Sequence, residues 1–265
     1  MSDSAKSDRW QVKPGSTIDL ADFDPGSTDG IPGGRAEAEA ALPDLLTDLA
    51  DLQDRLWAEA KRSLLVVLQA IDAGGKDGTI KHVFRGVNPQ GTRVTSFKEP
   101  TQIELAHDFL WRVHQAVPRA GEIGIFNRSH YEDVLITRVH GLVPEKTWRA
   151  RYDIINSFEA LLAHGGTTVV KLFLHISRDE QRKRFDSRLN EPKKRWKFRP
   201  ADLTEREYWD EYQKAFADAI SKTSTHDAPR YVIPANHKWA RNWIVSTVLI
   251  DALRKLDPQY PEPQV

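Results

Sequence analysis

The apolar run Leu64-Leu65-Val66-Val67-Leu68 passes through Gln69-Ala70-Ile71 into a glycine-rich turn, Asp72-Ala73-Gly74-Gly75-Lys76-Asp77-Gly78-Thr79-Ile80. No other junction constrains the chain as much. A short continuous apolar run reads as a strand buried on both faces, the pattern of a parallel sheet. The glycines let the backbone turn sharply and aim successive N–H groups at an anion, and the helix that follows adds the positive end of its dipole. Lys76 brings a full charge. The turn therefore predicts a phosphorylated ligand.

The turn departs from the Walker A pattern G-x-x-x-x-G-K-[ST] at both ends, with Ala70 in place of the first glycine and Asp77 in place of the hydroxyl. Taken alone it also reads as an ordinary strand-to-helix turn with a solvated lysine. The apolar run before it and a second polar strand end favour the phosphate cradle.

That second strand end is Gly124-Ile125-Phe126-Asn127-Arg128-Ser129-His130-Tyr131-Glu132-Asp133-Val134-Leu135. Arg128 has the planar fork suited to phosphate oxygens. Asn127, a neutral oxygen donor, stands where many nucleotide-binding sheets carry a metal-binding aspartate. A metal would then rely on Asp72, with Glu132 or Asp133 on the following turn as further candidates. Asp72 also reads as a simple cap of its own turn.

Between and beyond these sites, strand and helix patterns alternate. Leu42 to Trp57 recurs at three- and four-residue steps as an amphipathic helix. Thr92–Phe97 and Glu122–Phe126 read as strands, with a helix between them opened by the box Thr101-Gln102-Ile103-Glu104 and running to about Val117. A helix over about Glu145–Ala163, a strand over Thr167–Ile176, a strand over Arg230–Pro234 and a helix over Lys238–Lys255 complete the sheet-forming part. Boxes at Ser177 to Glu180 and Thr204 to Glu207 open two further helices, the second carrying Tyr208, Trp209, Tyr212 and Phe216 as a packing stripe. Connections this long predict an α/β fold with a parallel sheet between helices, its ligands beyond the carboxyl ends of the strands.

Residues 1–34, rich in Ser, Asp, Gly and Pro, read as an extended or disordered arm, and 35–265 as a single domain. The chain has no cysteine, which removes disulfides, thiolate metal sites and a cysteine nucleophile and fits a reducing cytoplasm. Met1 to Gln11 is too polar for a signal peptide, and no apolar run approaches a membrane span. Its nine histidines show no paired metal-ligand spacing. The formal net charge is zero, yet Arg178 to Arg199 holds ten basic residues against four acids. Such density around Trp196 points to an anion-binding strip, although basic helix faces are often plain solvated surface.

The loop from Asp72 to Ile80, the segment from Phe126 to Leu135, and Lys193-Lys194-Arg195-Trp196-Lys197 together closely resemble the polyphosphate kinase 2 family, from about residue 36 to 260. The resemblance implies a three-layer P-loop kinase-like fold with an N-terminal extension and a helical lid at about 178–204. It implies Mg²⁺-dependent, reversible transfer of phosphate between inorganic polyphosphate and nucleotides, with Mn²⁺ as a substitute ion. Asp72 would serve the metal and position the nucleophile, with Asp133 as a second metal candidate. Lys76 and Arg128 would be catalytic beside Asp72 and serve phosphates, with Gly74, Gly75, Asp77, Gly78 and Thr79 forming the phosphate-binding loop. Arg188, Lys193, Lys194 and Arg195 would hold the polymer, and Asn127, Glu132 and Asp133 the nucleotide. The Asn-Arg-Ser-His-Tyr-Glu-Asp version resembles the subgroup that phosphorylates AMP as well as ADP. The implied partners are polyphosphate and adenine nucleotides, with guanine nucleotides left open, and a second copy of the chain in a homodimer or homotetramer. Nucleic acid and membranes are not among them. Two other readings stand beside this one: an ATP-dependent nucleoside monophosphate kinase, and a non-catalytic polyanion-binding module.

Overall fold

The computed structural model describes residues 6–198 and 201–263. Arg199, counted above in the basic segment, lies outside the described residues, as do the first five residues of the arm. The strands are β1 (Gln11–Val12), β2 (Ser63–Gln69), β3 (Thr92–Ser96), β4 (Ile123–Asn127), β5 (Thr167–His175) and β6 (Arg230–Pro234). The helices are α1 (Gly34–Glu59), α2 (Lys76–Val83), α3 (Gln102–Leu105), α4 (Trp111–His114), α5 (Ile136–Val139), α6 (Glu145–His164), α7 (Arg178–Asn190), α8 (Ala201–Glu205), α9 (Trp209–Thr223) and α10 (Lys238–Leu256).

The six strands form one sheet in the order β1-β6-β5-β2-β4-β3, parallel except for the edge strand β1. Leu64 to Leu68 have no accessible surface, because β2 is flanked by β5 and β4 and covered by helices on both faces. Five fully buried apolar side chains of this kind supply about 1.5–3 kcal/mol each of burial free energy. On one side α1 and α2 pack against α10, and on the other α6 packs on β5 and α9. The result is a three-layer α/β fold of the P-loop kinase type.

The register of the strands decides what meets at the carboxyl edge. Leu68 of β2 pairs with Asn127 of β4, and Ser96 of β3 pairs with the same residue. The turns that follow β2 and β4 therefore leave the sheet side by side, which brings Asp72 and Arg128 together.

The N-terminal arm is extended and lies against the body. Trp10, Val12, Leu20 and Ile31 are buried, and β1 pairs antiparallel with β6 at Gln11 and Tyr231. Trp10 also meets Trp243 of α10 edge to face.

Two helix expectations need correction. The segment from Thr101 to Val117 is two single-turn helices. The full capping box at Thr101 and Glu104 forms, but α3 ends at Leu105 with Ile103 and Leu105 exposed, so it has no apolar face to bury. The Asp108 carboxylate accepts from the Leu110 N–H at 2.9 Å and starts a new turn. Likewise Thr204 lies inside α8 and opens no helix; α9 starts at Trp209, capped by Tyr208. The stripe residues Trp209, Tyr212 and Phe216 are buried as packing, while Tyr208 stays partly exposed.

Candidate active site

The glycine-rich loop runs from the end of β2 into the first turn of α2. Gly75 has φ +106°, a conformation that side chains rarely adopt, and a Cβ there would fall 2.3 Å from the Arg241 guanidinium. At Gly74 a Cβ would press on Ala70 and the Ile71 carbonyl. Both glycines are thus required by the shape of the turn. Lys76 folds back over the loop and donates to the Ala70 carbonyl at 2.8 Å. Burial pushes its ammonium below the usual lysine range, Arg128 adds to the shift, and Asp72 opposes it.

Arg128 faces this loop from β4 and donates to Asp72 Oδ1 at 2.8 Å. Its own backbone is left-handed, with φ +62°, held by an N–H bond to the Leu68 carbonyl and by the Ser129 hydroxyl, which accepts from the Tyr131 N–H. Glu132 lies in the same group of charges. Burial raises its carboxyl above the ordinary range, against the pull of Arg128 and Lys76.

Asn127 and Asp77 are joined, the Asn127 amide donating to Asp77 Oδ1 at 2.9 Å. The other oxygen of Asp77 accepts from Lys197 at 3.1 Å. Burial alone would raise the Asp77 carboxyl, but these two donors hold it below the ordinary range. Lys197 ends the 3₁₀ segment Pro192–Lys197 that follows α7, so the basic strip reaches the loop directly. Asp133 pairs with Arg151, its carboxylate 3.3 Å from that guanidinium.

The rest of the strip is partly neutralised within itself. Arg188 pairs with Asp202 at 3.4 Å and Lys194 with Glu191 at 2.6 Å, while Arg195 donates to the Leu189 carbonyl. Lys193 and Trp196 are exposed. Gly78 and Thr79 sit in the first turn of α2, where the Thr79 hydroxyl donates to the Gly75 carbonyl at 3.2 Å.

Three loop-supporting residues were not singled out from sequence. Gln181 donates to the Asp72 carbonyl at 3.0 Å, and Arg184 to the carbonyls of Ala73 and Gly74 at 3.0 and 2.9 Å. Arg241 of α10 packs on Gly75, and burial, with help from Arg184, pushes its guanidinium down to about 10. Arg184 follows the Ser177 cap by two turns of α7, a faint signal; for Arg241 the sequence carries none.

No cluster of three or more His, Cys, Asp or Glu side chains among the described residues forms a metal cage of its own. Mg²⁺ in phosphoryl-transfer sites needs only one or two carboxylates beside waters and substrate phosphates. Asp72, with Glu132 beside it, fits that smaller donor set.

A glycine-rich, lysine-bearing loop beyond a parallel sheet, an arginine from the neighbouring strand end and a basic segment that touches the loop fit the P-loop kinase class of phosphotransferases. The family model described as Polyphosphate kinase 2 (PPK2) matches residues 34–261, and the chain belongs to that family. It is 56% identical to the AMP/ADP-polyphosphate phosphotransferase of Meiothermus ruber, over 97% of this chain and 96% of that one. It is 44% identical to the ADP-polyphosphate phosphotransferase of Rhodopseudomonas palustris, over 97% and 93%. The solved polyphosphate kinase 2 of Arthrobacter aurescens TC1 superposes with a TM-score of 0.95 at 45% identity, covering 99% of this chain and 93% of that one. The protein is an enzyme of the polyphosphate kinase type. No helix among the described residues is long and apolar enough to cross a membrane.

Proposed function

We propose that this chain transfers phosphate reversibly between inorganic polyphosphate and adenine nucleotides, with both AMP and ADP as acceptors and Mg²⁺, or Mn²⁺ in its place, as the ion. The observation that carries the proposal is the contact between Lys197 of the basic segment and Asp77 of the loop, because it sets a strip of cations beside the turn that carries Lys76. A long polyanion calls for such a strip; a single nucleotide donor does not. The relatives named for AMP and ADP support the acceptors.

In this reading Lys76 and the N–H groups of Gly74 to Thr79 bind the phosphate being transferred. Arg128, paired with Asp72 before substrate arrives, turns to the acceptor phosphate. That phosphate is already ionised, so no strong general base is needed and Asp72 serves position and metal. The ion would be held by Asp72, and it neutralises phosphate oxygens when bound. Lys193, Lys194, Arg195 and Arg188 guide the polymer beyond the loop. Asn127, through Asp77, keeps the loop in register with β4 beside the nucleotide, with Glu132 nearby. A second copy of the chain completes a homo-oligomer.

The test is a product assay with AMP, Mg²⁺ and polyphosphate in the absence of ATP. ADP followed by ATP is the expected outcome. An ATP-dependent nucleoside monophosphate kinase would form no ADP, and a polyanion-binding module would form no product with any nucleotide.

A further inference from the structure

Two cations lie fully enclosed within the sheet, an uncommon position for charge. Lys171 in the middle of β5 and Arg230 at the start of β6 have no accessible surface. Glu159 of α6 accepts from Lys171, lies 2.8 Å from the Tyr131 hydroxyl and 3.3 Å from the His130 ring. The Lys171 ammonium also meets the Thr223 carbonyl, and the Tyr131 hydroxyl lies 3.0 Å from Thr223 Oγ1. Arg230 stacks over the Tyr131 ring at 4.3 Å and donates to the side chains of Gln69 and Thr223.

Stability does not account for such a cluster, since buried ion pairs are often no better than apolar residues of the same volume. Its connections do. Gln69 is the last residue of β2, directly before the turn that carries Asp72. His130 and Tyr131 follow Arg128, whose left-handed backbone persists only where both sides are held. Upstream, Asn127 is held by pairing in the sheet. Downstream, the holding element is Tyr131, gripped by Glu159 at its hydroxyl and Arg230 at its face.

We infer that the buried Glu159–Lys171–Arg230 network is a positioning device that clamps Tyr131 and Gln69 and so fixes the backbone from which Arg128 reaches the acceptor phosphate. None of the three ions touches substrate; all are positioning residues. The inference rests on the reading of Arg128 given under Proposed function.

The test is a double-mutant cycle on polyphosphate-driven turnover, with Tyr131→Phe and Arg128→Lys made singly and together. Tyr131→Phe keeps the ring and removes only the gripped hydroxyl. A misplaced Arg128 should lower kcat about tenfold in this variant, with KM for polyphosphate and nucleotide within about twofold of wild type. In the Arg128→Lys background the same change should cause little further loss, because coupled residues are non-additive. A second variant, Glu159→Gln with Lys171→Met, removes the central pair together and should show the same fall in kcat with unchanged KM. Equal loss from Tyr131→Phe in both backgrounds, or a wild-type kcat, overturns the inference while leaving the site reading intact. Wild-type turnover of Arg128→Lys and Arg128→Ala would instead overturn the site reading, and the inference with it.

Discussion

Lys197 donates to the carboxylate of Asp77 across 3.1 Å, tying the end of a cationic segment to the first turn of α2. Both partners are partly exposed, so the pair contributes about 0–1 kcal/mol and acts as a weak latch. In the proposed reading an incoming polyphosphate competes with Asp77 for Lys197. Replacement of Lys197 by alanine should therefore leave the melting temperature within a few degrees, while KM for polyphosphate rises several-fold. A large loss of stability with unchanged KM would show that the contact is structural.

Lys76 is the charge nearest the transferring phosphate in this account. Its replacement by alanine should lower kcat at least ~100-fold, the scale of a lost preorganised charge. Its contact in the free protein is a single backbone carbonyl, so folding should be little affected. Near-normal turnover would refute the role.

Charge reversal at Lys193, Lys194 and Arg195 should raise KM for long polyphosphate more than for short chains, and reduce the salt sensitivity of binding. Chain-length series at two ionic strengths read this directly. Equal effects on all lengths would mean that these residues do not follow the polymer.

Buried Glu159 sets a pH dependence of folding. Burial opposes its ionisation, but Lys171 and His130 outweigh it and hold the carboxyl down to about 2. The folded value lies below the unfolded one, so its contribution is present above the ordinary glutamate range and lost as pH falls toward 2. Urea midpoints between pH 5 and 2 should fall more steeply for wild type than for Glu159→Gln. Parallel curves would contradict the assignment.

Gly75→Ala places a methyl in a left-handed turn against Arg241, at a cost of about 1–3 kcal/mol if the loop keeps its shape. Polyphosphate-driven turnover should collapse, because the N–H groups of the loop lose their common aim. Wild-type turnover and melting temperature together would show that the loop tolerates the side chain.

The sheet and its two polar strand ends were legible because each depends on near neighbours: an apolar run, a glycine turn, a cap. Asp72, Lys76 and Arg128 emerge at the carboxyl edge for that reason. Gln181, Arg184 and Arg241 were not legible, since they reach the loop from 109, 111 and 166 positions away. Their spacing has no local period to mark it. The helix expected over 101–117 failed for the opposite reason, because local capping started a turn that tertiary packing gave no apolar face to extend. Lys171 lies inside a segment read simply as a strand, and only the fold shows its partners.

Amide hydrogen exchange with polyphosphate and no nucleotide tests the central claim most directly. If loop and lid grip one polymer, amides of residues 74–79 and of residues 192–197 should slow together, with the same midpoint in polyphosphate concentration. Protection of one segment while the other exchanges as in the free protein would contradict it.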